Sequence, residues 1–300
     1  MNLSHTDPHV EAFEAARGRL FGLAYRMLGS RADAEDAVQE AYVRWHQTPV
    51  GTVAHPEAWL VTATTRIAID RLRALRTARE AYSGPWLPEP LLQAPLPSPE
   101  RDAELASDLS MAFLLVLERL APEERAAFLL HEVFDTGYGD IARILGKSQD
   151  ACRQIVHRAR QRVRGARRRF DVPSDAHRRL LETFRRAMEA GDETALLELF
   201  MPDAVWTAAG GGVVHASPRP LVGGPRLARL VVGLQRVFER AGARLEPAVV
   251  NGEPGLVLRA EGRVRATFAF EAAGARIAAV YVVLNPEKLS RADDSPVFGA

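Results

Sequence analysis

The stretch Tyr138–Arg164 reads YGDIARILGKSQDACRQIVHRARQRVR, and it decides the organisation of this chain. Apolar residues recur at helical spacing on both sides of Gly146-Lys147, which predicts two helices, Tyr138–Leu145 and Ser148–Arg167, joined by a sharp turn. The Ser148 hydroxyl is suited to cap the second helix, because it can accept a free backbone amide at that end. Two helices joined in this way are typical of a helix-turn-helix.

The outward side of the second helix carries side chains suited to nucleic acid. An apolar stripe turned inward leaves five polar side chains outward. The stripe consists of Ala151, Ile155, Ala159 and Val163, and the outward residues are Gln149, Arg153, Gln154, His157 and Arg158. Such side chains reach base edges and phosphates from the major groove. The segment from Asp140 to Arg169 also carries ten basic residues against two acidic ones. A solvated basic helix without a partner is the alternative, but charge together with the turn pattern favours DNA.

The composition is that of a protein with more than one packed domain. The chain has 300 residues, of which 47% are hydrophobic and 26% charged, with a net charge of +1. One cysteine, Cys152, excludes an internal disulfide and a four-cysteine zinc site, and we interpret it as a packed residue. The sequence has no signal-peptide pattern and no apolar run long enough for a bilayer, so we expect a cytoplasmic protein without a membrane partner. No cofactor or metal is expected.

Changes in composition divide the chain into five segments. Helical spacing predicts two all-α domains, over residues 1–80 and over residues 105–171, the second of which holds the helix-turn-helix. Residues 81–104 are rich in proline, which removes backbone donors and predicts an extended linker. Residues 175–292 mix helical and strand-like runs with Gly-rich turns, which predicts an α+β domain, and residues 293–300 form a tail.

The elements around these boundaries are predicted from the same periodicities. Further helices are expected at Ser107–Leu120, from Pro122 to a stop at Gly137, at His177–Ala190 and between Gly224 and Ala241. Antiparallel strands are expected at Ala248–Val250, Gly255–Arg259, Val264–Phe270 and Arg276–Val283.

Motifs in three places resemble group IV, or extracytoplasmic-function (ECF), RNA polymerase sigma factors. They are RMLGSRADAEDAVQEAYVRW at residues 26–45, WLVTATTRIAIDRLRALR at residues 59–76, and the helix-turn-helix. The resemblance covers roughly the first 170 residues. It implies that the chain directs promoter-specific transcription initiation and leaves the chemistry to the polymerase.

The resemblance also implies binding roles within the two helical domains. The first domain would bind the clamp helices of the polymerase β′ subunit through Asp36, Gln39 and Glu40. It would read the −10 promoter element through the loop from Gln47 to His55 and through the third helix of the domain, which is predicted to start near Pro56. The second domain would contact the β flap and read the −35 element. The DNA-binding candidates on the third helix are Arg66, Arg71 and Arg73, and many family members carry Asn in place of Arg66.

Two further motifs narrow the resemblance to ECF sigma factors with a fused C-terminal SnoaL-like domain, an NTF2-like cone. They are GPWLPEPLL at residues 84–92 and NPEKL at residues 285–289, where the common form has Asp at the position of Glu287. The subgroup implies that the C-terminal domain regulates the sigma factor by contacting the first domain and the linker. The residues that this contact would use are Trp86, Leu87, Pro88, Glu89, Asn285, Pro286, Lys288 and Leu289.

Other functions are possible on the sequence alone. A stand-alone helix-turn-helix regulator would bind duplex DNA without polymerase, and its C-terminal domain would bind a ligand. SnoaL-like domains also include enzymes that use a carboxylate or a histidine as acid or base, for which Asp203, His215 and Glu271 are candidates. No two of these three residues form a recognisable catalytic motif, so we expect a protein that is not an enzyme.

Overall fold

In the computed structural model, the described residues are 7–49, 51–80, 82–93, 109–167 and 172–292. Residues 81 and 94–104 of the predicted linker, the start of the predicted helix at Ser107, the boundary at Asp171 and the tail (293–300) lie outside them. The chain forms two compact units: residues 1–80 with 116–165, and residues 81–115 with 166–300. No helix in the described ranges is long and apolar enough to span a membrane.

The first unit is entirely helical. Its N-terminal part consists of α1 (Pro8–Leu28), α2 (Arg31–His46) and α3 (Pro56–Glu80). Gly29 adopts a left-handed conformation (φ 65°) that ends α1, and the Ser30 side chain then accepts the Asp33 amide to cap α2. Three helices in close succession can in this way turn back on one another and bury one apolar core.

The helix-turn-helix follows the predicted pattern. After α4 (Met111–Leu117) and α5 (Pro122–Glu132) come α6 (Tyr138–Leu145) and α7 (Gln149–Arg167). Gly146 ends α6 at φ 65°, and the Ser148 Oγ atom accepts the Ala151 amide at 3.2 Å. The predicted cap and turn are therefore confirmed.

The second unit is an α+β fold, as predicted. Its helices are α8 (Ser174–Glu189), α9 (Glu193–Leu199), α10 (Gly224–Arg240) and α11 (Pro286–Leu289). Its strands are β1 (Leu92–Gln93), β2 (Phe200–Ala209), β3 (Leu221–Val222), β4 (Arg244–Val250), β5 (Glu253–Ala260), β6 (Arg263–Ala273) and β7 (Arg276–Val283). Within one sheet they follow the order β1-β4-β5-β6-β7-β2-β3.

The two faces of this sheet have separate cores. Leu227 and Val231 of α10 and Phe184 of α8 pack with Phe268 and Phe270 of β6 on one face. On the other face the smaller cluster includes linker residue Leu87, Met111 of α4, Val250 of β4 and Leu289 of α11. Because successive side chains of a strand point to opposite faces, a sheet covered on both sides reads as a continuous apolar run, as it does here.

Several predicted bounds and one predicted stripe need correction. The helix expected at Ser107–Leu120 covers Met111–Leu117 in the described part of the chain, and the helix expected to stop at Gly137 ends at Glu132. The helix expected at His177–Ala190 spans Ser174–Glu189. In α7, the predicted stripe residues Ile155, Ala159 and Val163 are buried, whereas Ala151 is only half-buried. Cys152 and Val156 are fully buried as well, so the buried stripe is wider than predicted.

Candidate nucleic-acid interface and linker-binding face

The outward face of α7 is where the sequence predicts it. All five predicted side chains are exposed: Gln149, Arg153, Gln154, His157 and Arg158. Arg153 pairs with Asp150 at 2.6 Å, and its guanidinium lies 5.5 Å from the centre of the Tyr138 ring. The His157 and Gln161 side chains form a hydrogen bond of 3.0 Å one turn apart. An exposed helix face with basic and amide groups can enter a major groove without rearrangement of its own backbone.

The base of α7 is held by ion pairs to α5. Arg160 pairs with Glu132, and Arg162 pairs with Glu124 at 2.6 Å. These pairs hold two of the basic residues of α7 to carboxylates of α5. The side chains of Arg164 and Arg167, and all of Arg168 and Arg169, lie outside the described residues.

Arg66 of α3 is bonded to the helix-turn-helix. Its guanidinium donates to the backbone oxygens of Arg143 (3.0 Å) and Ile144 (3.1 Å) in the last turn of α6. These carbonyls have no partner within α6, and the negative end of a helix attracts a cation. In this arrangement the Arg66 guanidinium is occupied by protein.

A second bridge joins α3 to the helix-turn-helix through Glu123 of α5. Its carboxylate pairs with Lys147 at 2.9 Å and with Arg73 at 2.6 Å. The hydrogen bond from Lys147, aided by Arg73, lowers the pKa of Glu123, so the carboxylate is charged at neutral pH. Arg73 also pairs with Asp70 at 3.2 Å. We call the arrangement held by Arg66 and Glu123 the closed helical unit.

A cleft of about 880 Å³ opens within this unit. It is lined by Val53, Ala54 and His55 from the loop before α3, by Arg66, and by Arg143 and Ile144 of α6. The last three residues of the predicted −10 loop therefore share one cleft with the helix-turn-helix. Val50 of the same loop lies outside the described residues.

The acidic face of α2 is paired with a predicted DNA-binding residue. Arg71 of α3 contacts Asp36 (3.5 Å), Glu40 (3.2 Å) and the backbone oxygen of Asp33 (3.3 Å). Asp36 and Gln39 are exposed, and Glu40 is half-buried. The structure thus brings Arg71 together with two of the three predicted polymerase-binding residues. Arg66 and Arg73, the other two DNA-binding candidates on α3, contact different partners, namely α6 and Glu123.

The linker residues that precede α4 are bound to the second unit by backbone pairing. Leu92 and Gln93 form β1, which runs antiparallel to β4. The Asn251 side chain accepts the Leu91 amide at 3.2 Å, and the Asn251 amide donates to the Leu91 oxygen at 2.8 Å. Leu87, Pro88, Glu89, Pro90 and Leu91 are all buried.

Lys288 of α11 fastens the aromatic part of the linker. Its ammonium lies 4.3 Å from the centre of the Trp86 ring and 4.9 Å from the centre of the Tyr82 ring, and it donates a hydrogen bond to the Leu87 oxygen. A cation held between two aromatic rings is attracted to both faces. Pro286 is exposed at the first position of α11, whereas Leu289 is buried against the linker.

Asn285 connects the linker to a glycine turn. Its side chain donates to the Tyr82 hydroxyl at 3.2 Å and also caps α11 by accepting the Glu287 amide at 3.1 Å. Burial raises the pKa of Tyr82, so the phenol stays protonated at neutral pH. Gly211 (φ 67°) lies directly beneath, where an added Cβ atom would be 2.4 Å from the Asn285 amide nitrogen. Two predicted motifs, at residues 84–92 and 285–289, therefore meet on one face.

A titratable carboxyl group lies at the edge of this linker-binding face. Glu253 follows Asn251-Gly252, the two-residue turn between β4 and β5. Burial raises the pKa of Glu253 to about 7, with a further contribution from the charge of Glu271. Glu271 in turn accepts a hydrogen bond from the Tyr281 hydroxyl at 2.9 Å.

The raised pKa of Glu253 predicts a loss of stability as the pH rises. Because the folded state binds the proton more tightly than the unfolded chain, whose pKa is 4.5, the stabilisation is complete below pH 4.5 and lost by about pH 7. The free energy of unfolding of the wild type should fall by an amount on the order of 2–3 kcal/mol over that pH range, and we expect the Glu253→Gln variant to lack this fall. Urea unfolding at a series of pH values measures it, with Glu261→Gln, at an exposed position, as the control. Identical slopes for wild type and Glu253→Gln would contradict the assignment.

The three candidate catalytic residues do not share a site. Asp203 and His215 are exposed, whereas Glu271 is buried beside Tyr281. The interior between sheet and helices, where a cone-shaped domain would hold a ligand, is filled by apolar side chains such as Phe184, Trp206 and Phe268. Within the described part of the chain, these three residues therefore do not form a paired acid and base in that interior.

Sequence reasoning missed Asn251 and Glu123. Asn251 was detectable, because Asn-Gly between two strand-like runs is a strong hairpin signal, and both residues have positive φ here (54° and 78°). Its bond to Leu91, 160 positions away, was not detectable. Glu123 carries no local signal, since only tertiary packing brings Arg73 and Lys147 to it.

The helical unit has the features of an RNA polymerase sigma factor. One region has a basic recognition helix, and the other has a basic α3 beside an acidic α2. Residues 12–78 match the family Sigma-70 region 2, and residues 110–163 match Sigma-70, region 4. The chain is 38% identical over 249 residues to the ECF RNA polymerase sigma factor SigJ of Mycobacterium tuberculosis, covering 82% of this chain and 80% of SigJ.

Two further similarities extend across nearly the whole chain. The probable ECF RNA polymerase sigma factor SigI of Mycobacterium tuberculosis is 30% identical over 290 residues, covering 96% of this chain and 97% of SigI. The crystal structure of the extracytoplasmic-function sigma factor SigJ of the same species matches with a TM-score of 0.73 at 32% identity, covering 96% of this chain and 100% of that one. The chain belongs to the ECF family of RNA polymerase sigma factors and serves transcription initiation.

Proposed function

We propose that this sigma factor is regulated by its own C-terminal domain, and that the regulation acts through the linker. The observation that carries the proposal is the fastening of residues 82–93 by Asn251, Asn285 and Lys288. A bound linker limits how far the helical regions on either side of it can move. The domain boundaries at residues 80, 104, 171 and 292 are part of this proposal.

The DNA contacts follow from the exposed and the occupied residues. The exposed face of α7 binds the −35 element, with Gln149, Gln154 and Arg158 at base edges or phosphates. The −10 element is read by the loop Gln47–His55 and by α3. Because Arg66 is bonded to the helix-turn-helix and Arg73 to Glu123 of α5, the closed helical unit has to open before these two residues reach DNA.

The polymerase contacts follow from α2. Asp36, Gln39 and Glu40 bind the β′ clamp helices, and the helix-turn-helix region contacts the β flap. Arg71 holds Asp36 and Glu40 in position through ion pairs. It is therefore a positioning residue for the polymerase-binding surface of α2 as well as a candidate DNA contact. The protein would work in the cytoplasm, where the polymerase is.

The Arg158→Ala variant is expected to weaken −35 recognition. Loss of one contact to a base or phosphate costs about 1–3 kcal/mol, so run-off transcription should fall by roughly 5- to 150-fold at limiting sigma factor. Arg178→Ala, at an exposed position of α8, removes the same charge elsewhere and should leave the yield unchanged. Equal yields from both variants would remove Arg158 from the interface.

The regulatory proposal is tested with the full chain. Truncation near Asp171 would uncover Leu87 and Leu91, so point substitutions are cleaner. The double variant Asn285→Ala/Lys288→Ala should speed amide exchange of residues 82–92 and change the run-off yield with core polymerase by about fivefold or more, the lower end of typical coupling. Arg276→Ala, at an exposed position of β7, is the matched control. Release of the linker without any change in yield would contradict the proposal.

We also infer that the C-terminal domain is not catalytic. The apolar filling of its interior and the exposure of Asp203 and His215 support this inference. Catalytic acids and bases need a cavity that a substrate can enter.

A further inference from the structure

Three potential metal ligands meet where α1 begins and α2 ends. The carboxylate of Asp7, the imidazole of His9 and the imidazole of His46 each place one donor atom within 4.8 Å of the other two. The Asp7 Oδ1 atom is 3.2 Å from the His9 Nδ1 atom, and the Asp7 Oδ2 atom is 3.8 Å from the His46 Nδ1 atom. Neither the promoter-binding surfaces nor the linker-binding face uses this cluster.

The His9 ring is oriented by a backbone oxygen. Its Nε2 atom lies 2.8 Å from the Thr48 oxygen, and since a carbonyl only accepts, Nε2 must carry a proton. The His9 side chain is 8% exposed, and Trp45 packs edge-on against its ring at 5.1 Å between ring centres. Histidines that ligate metals are held in the same way, with the second ring nitrogen donating to a carbonyl or carboxylate.

The other ring nitrogen of His9 faces a carboxylate. In a neutral ring with a proton on Nε2, the Nδ1 atom is an acceptor, and Asp7 Oδ1 at 3.2 Å is an acceptor too. Two acceptors repel at this distance unless a proton or a cation lies between them. A cation between the two atoms would be attracted to both of them.

We propose that Asp7, His9 and His46 bind a divalent transition-metal ion, with zinc as the expected ion, through one carboxylate oxygen and two imidazole nitrogens. This donor set is the mixed nitrogen and oxygen set that zinc accepts, with a water molecule as fourth ligand.

The geometry needs only a small adjustment. Ligands of a tetrahedral zinc ion with bonds of roughly 2.0 Å lie about 3.3 Å apart. The Asp7 and His9 donor atoms are already 3.2 Å apart. His46 has the most exposed side chain of the three, at 56%, so its ring can approach by a rotation that changes only its ring contacts with Tyr42 and His9.

Electrostatics at the cluster act in both directions. His46 is the last residue of α2, where the negative end of the helix favours a cation. The N-terminus of α1 opposes one, but the carboxylate of Asp7 offsets that effect.

A bound ion would link α1, α2 and the start of the loop before α3. His9 already holds the Thr48 oxygen, and Thr48 is the second residue of the loop Gln47–His55. The ion would thereby fix the start of the loop that we assign to −10 recognition. This consequence rests on the proposed function, whereas binding of the ion does not.

The test is a zinc titration of the full chain without an affinity tag, after removal of metals by a chelator. Calorimetry at pH 7.5 gives stoichiometry and affinity, and cobalt(II) substitution reports tetrahedral coordination by its visible absorption. His46→Ala removes an exposed ligand, and Asp7→Asn removes the charge while keeping a good helix cap. His55→Ala removes an exposed imidazole outside the cluster and is the matched control.

We expect one zinc ion per chain in the wild type and in His55→Ala. Affinity should fall at least about tenfold in His46→Ala and in Asp7→Asn, because loss of a ligand costs no less than loss of its supporting contact. Absence of binding, or equal affinity in the wild type and His46→Ala, would overturn the proposal and leave only the contact between the Asp7 and His9 side chains. Transcription is measured separately, so failure of the regulatory proposal would not alter this result.

Discussion

Replacing Arg125 with alanine is expected to destabilise the helical unit by about 3 kcal/mol, the cost of leaving buried polar groups without their partner. The Arg125 side chain is 2% exposed, and it donates to the Met27 oxygen (2.6 Å) and to Glu118 (2.7 Å). Alanine would leave the Met27 oxygen unpaired and a cavity beside it.

The same network explains why Arg125 matters beyond its own contacts. Glu118 also pairs with Arg79 at 2.7 Å, and Arg79 donates to the Leu28 oxygen. The end of α1, the end of α3 and the start of α5 are thus joined by two guanidinium groups that share one carboxylate. Burial lowers the pKa of Arg79, whereas Glu118 raises it, so the carboxylate offsets part of the desolvation of the guanidinium.

Urea unfolding followed by amide exchange of α1 and α5 measures the stability of the helical unit alone. Arg119→Ala, at a neighbouring exposed position, should shift it by no more than about 0.5 kcal/mol. If Arg125→Ala and Arg119→Ala have the same free energy of unfolding, the buried network makes no net contribution to the stability of the helical unit.

The helix-turn-helix was predictable because its signals are local. Gly146, Ser148 and the apolar spacing of α6 and α7 lie within one stretch of sequence, and each acts on its immediate neighbours. The antiparallel strands β4 to β7 were predictable in kind for the same reason, since short turns join them. The bounds of β7 were predicted as they are found, whereas those predicted for β4, β5 and β6 were too short at the ends, where polar residues such as Arg244 and Arg263 still pair with their neighbours.

The non-local features were not predictable from periodicity. β2 pairs in parallel with β7, about 75 positions later, and no turn signal announces such a pairing. Arg66 and Arg73 were assigned to DNA by residue type and by the family resemblance. Only the fold brings them to Ile144 and Glu123. The proposed metal ligand His46 is likewise brought to Asp7 by the packing of α2 on α1.

The Gly211→Ala variant is expected to release the linker. Gly211 has φ 67°, a conformation that costs a residue with a Cβ atom about 1 kcal/mol. The new methyl group would also meet the Asn285 side-chain nitrogen at 2.4 Å and the Tyr82 hydroxyl at 3.0 Å. Asn285 is 2% exposed and has no room to withdraw, so its bond to Tyr82 should break.

Gly274→Ala separates backbone strain from this steric contact. Gly274 has φ 61°, and an added Cβ atom there would meet nothing within 4 Å. Both variants should lose about 1 kcal/mol of stability through their backbone, but only Gly211→Ala should speed amide exchange of residues 82–87, by about tenfold or more. Equal exchange in the two variants would mean that Asn285 does not hold the linker.

Transcription connects this contact to regulation. If a bound linker restrains the helical regions, Gly211→Ala should change the run-off yield in the same direction as Asn285→Ala/Lys288→Ala, since both variants break the bond between Asn285 and Tyr82. Gly274→Ala should behave as wild type. A change in yield in opposite directions for the two linker-releasing variants would show that the glycine turn acts on the sigma factor by another route, for instance through Ser83, which lies beside Gly212.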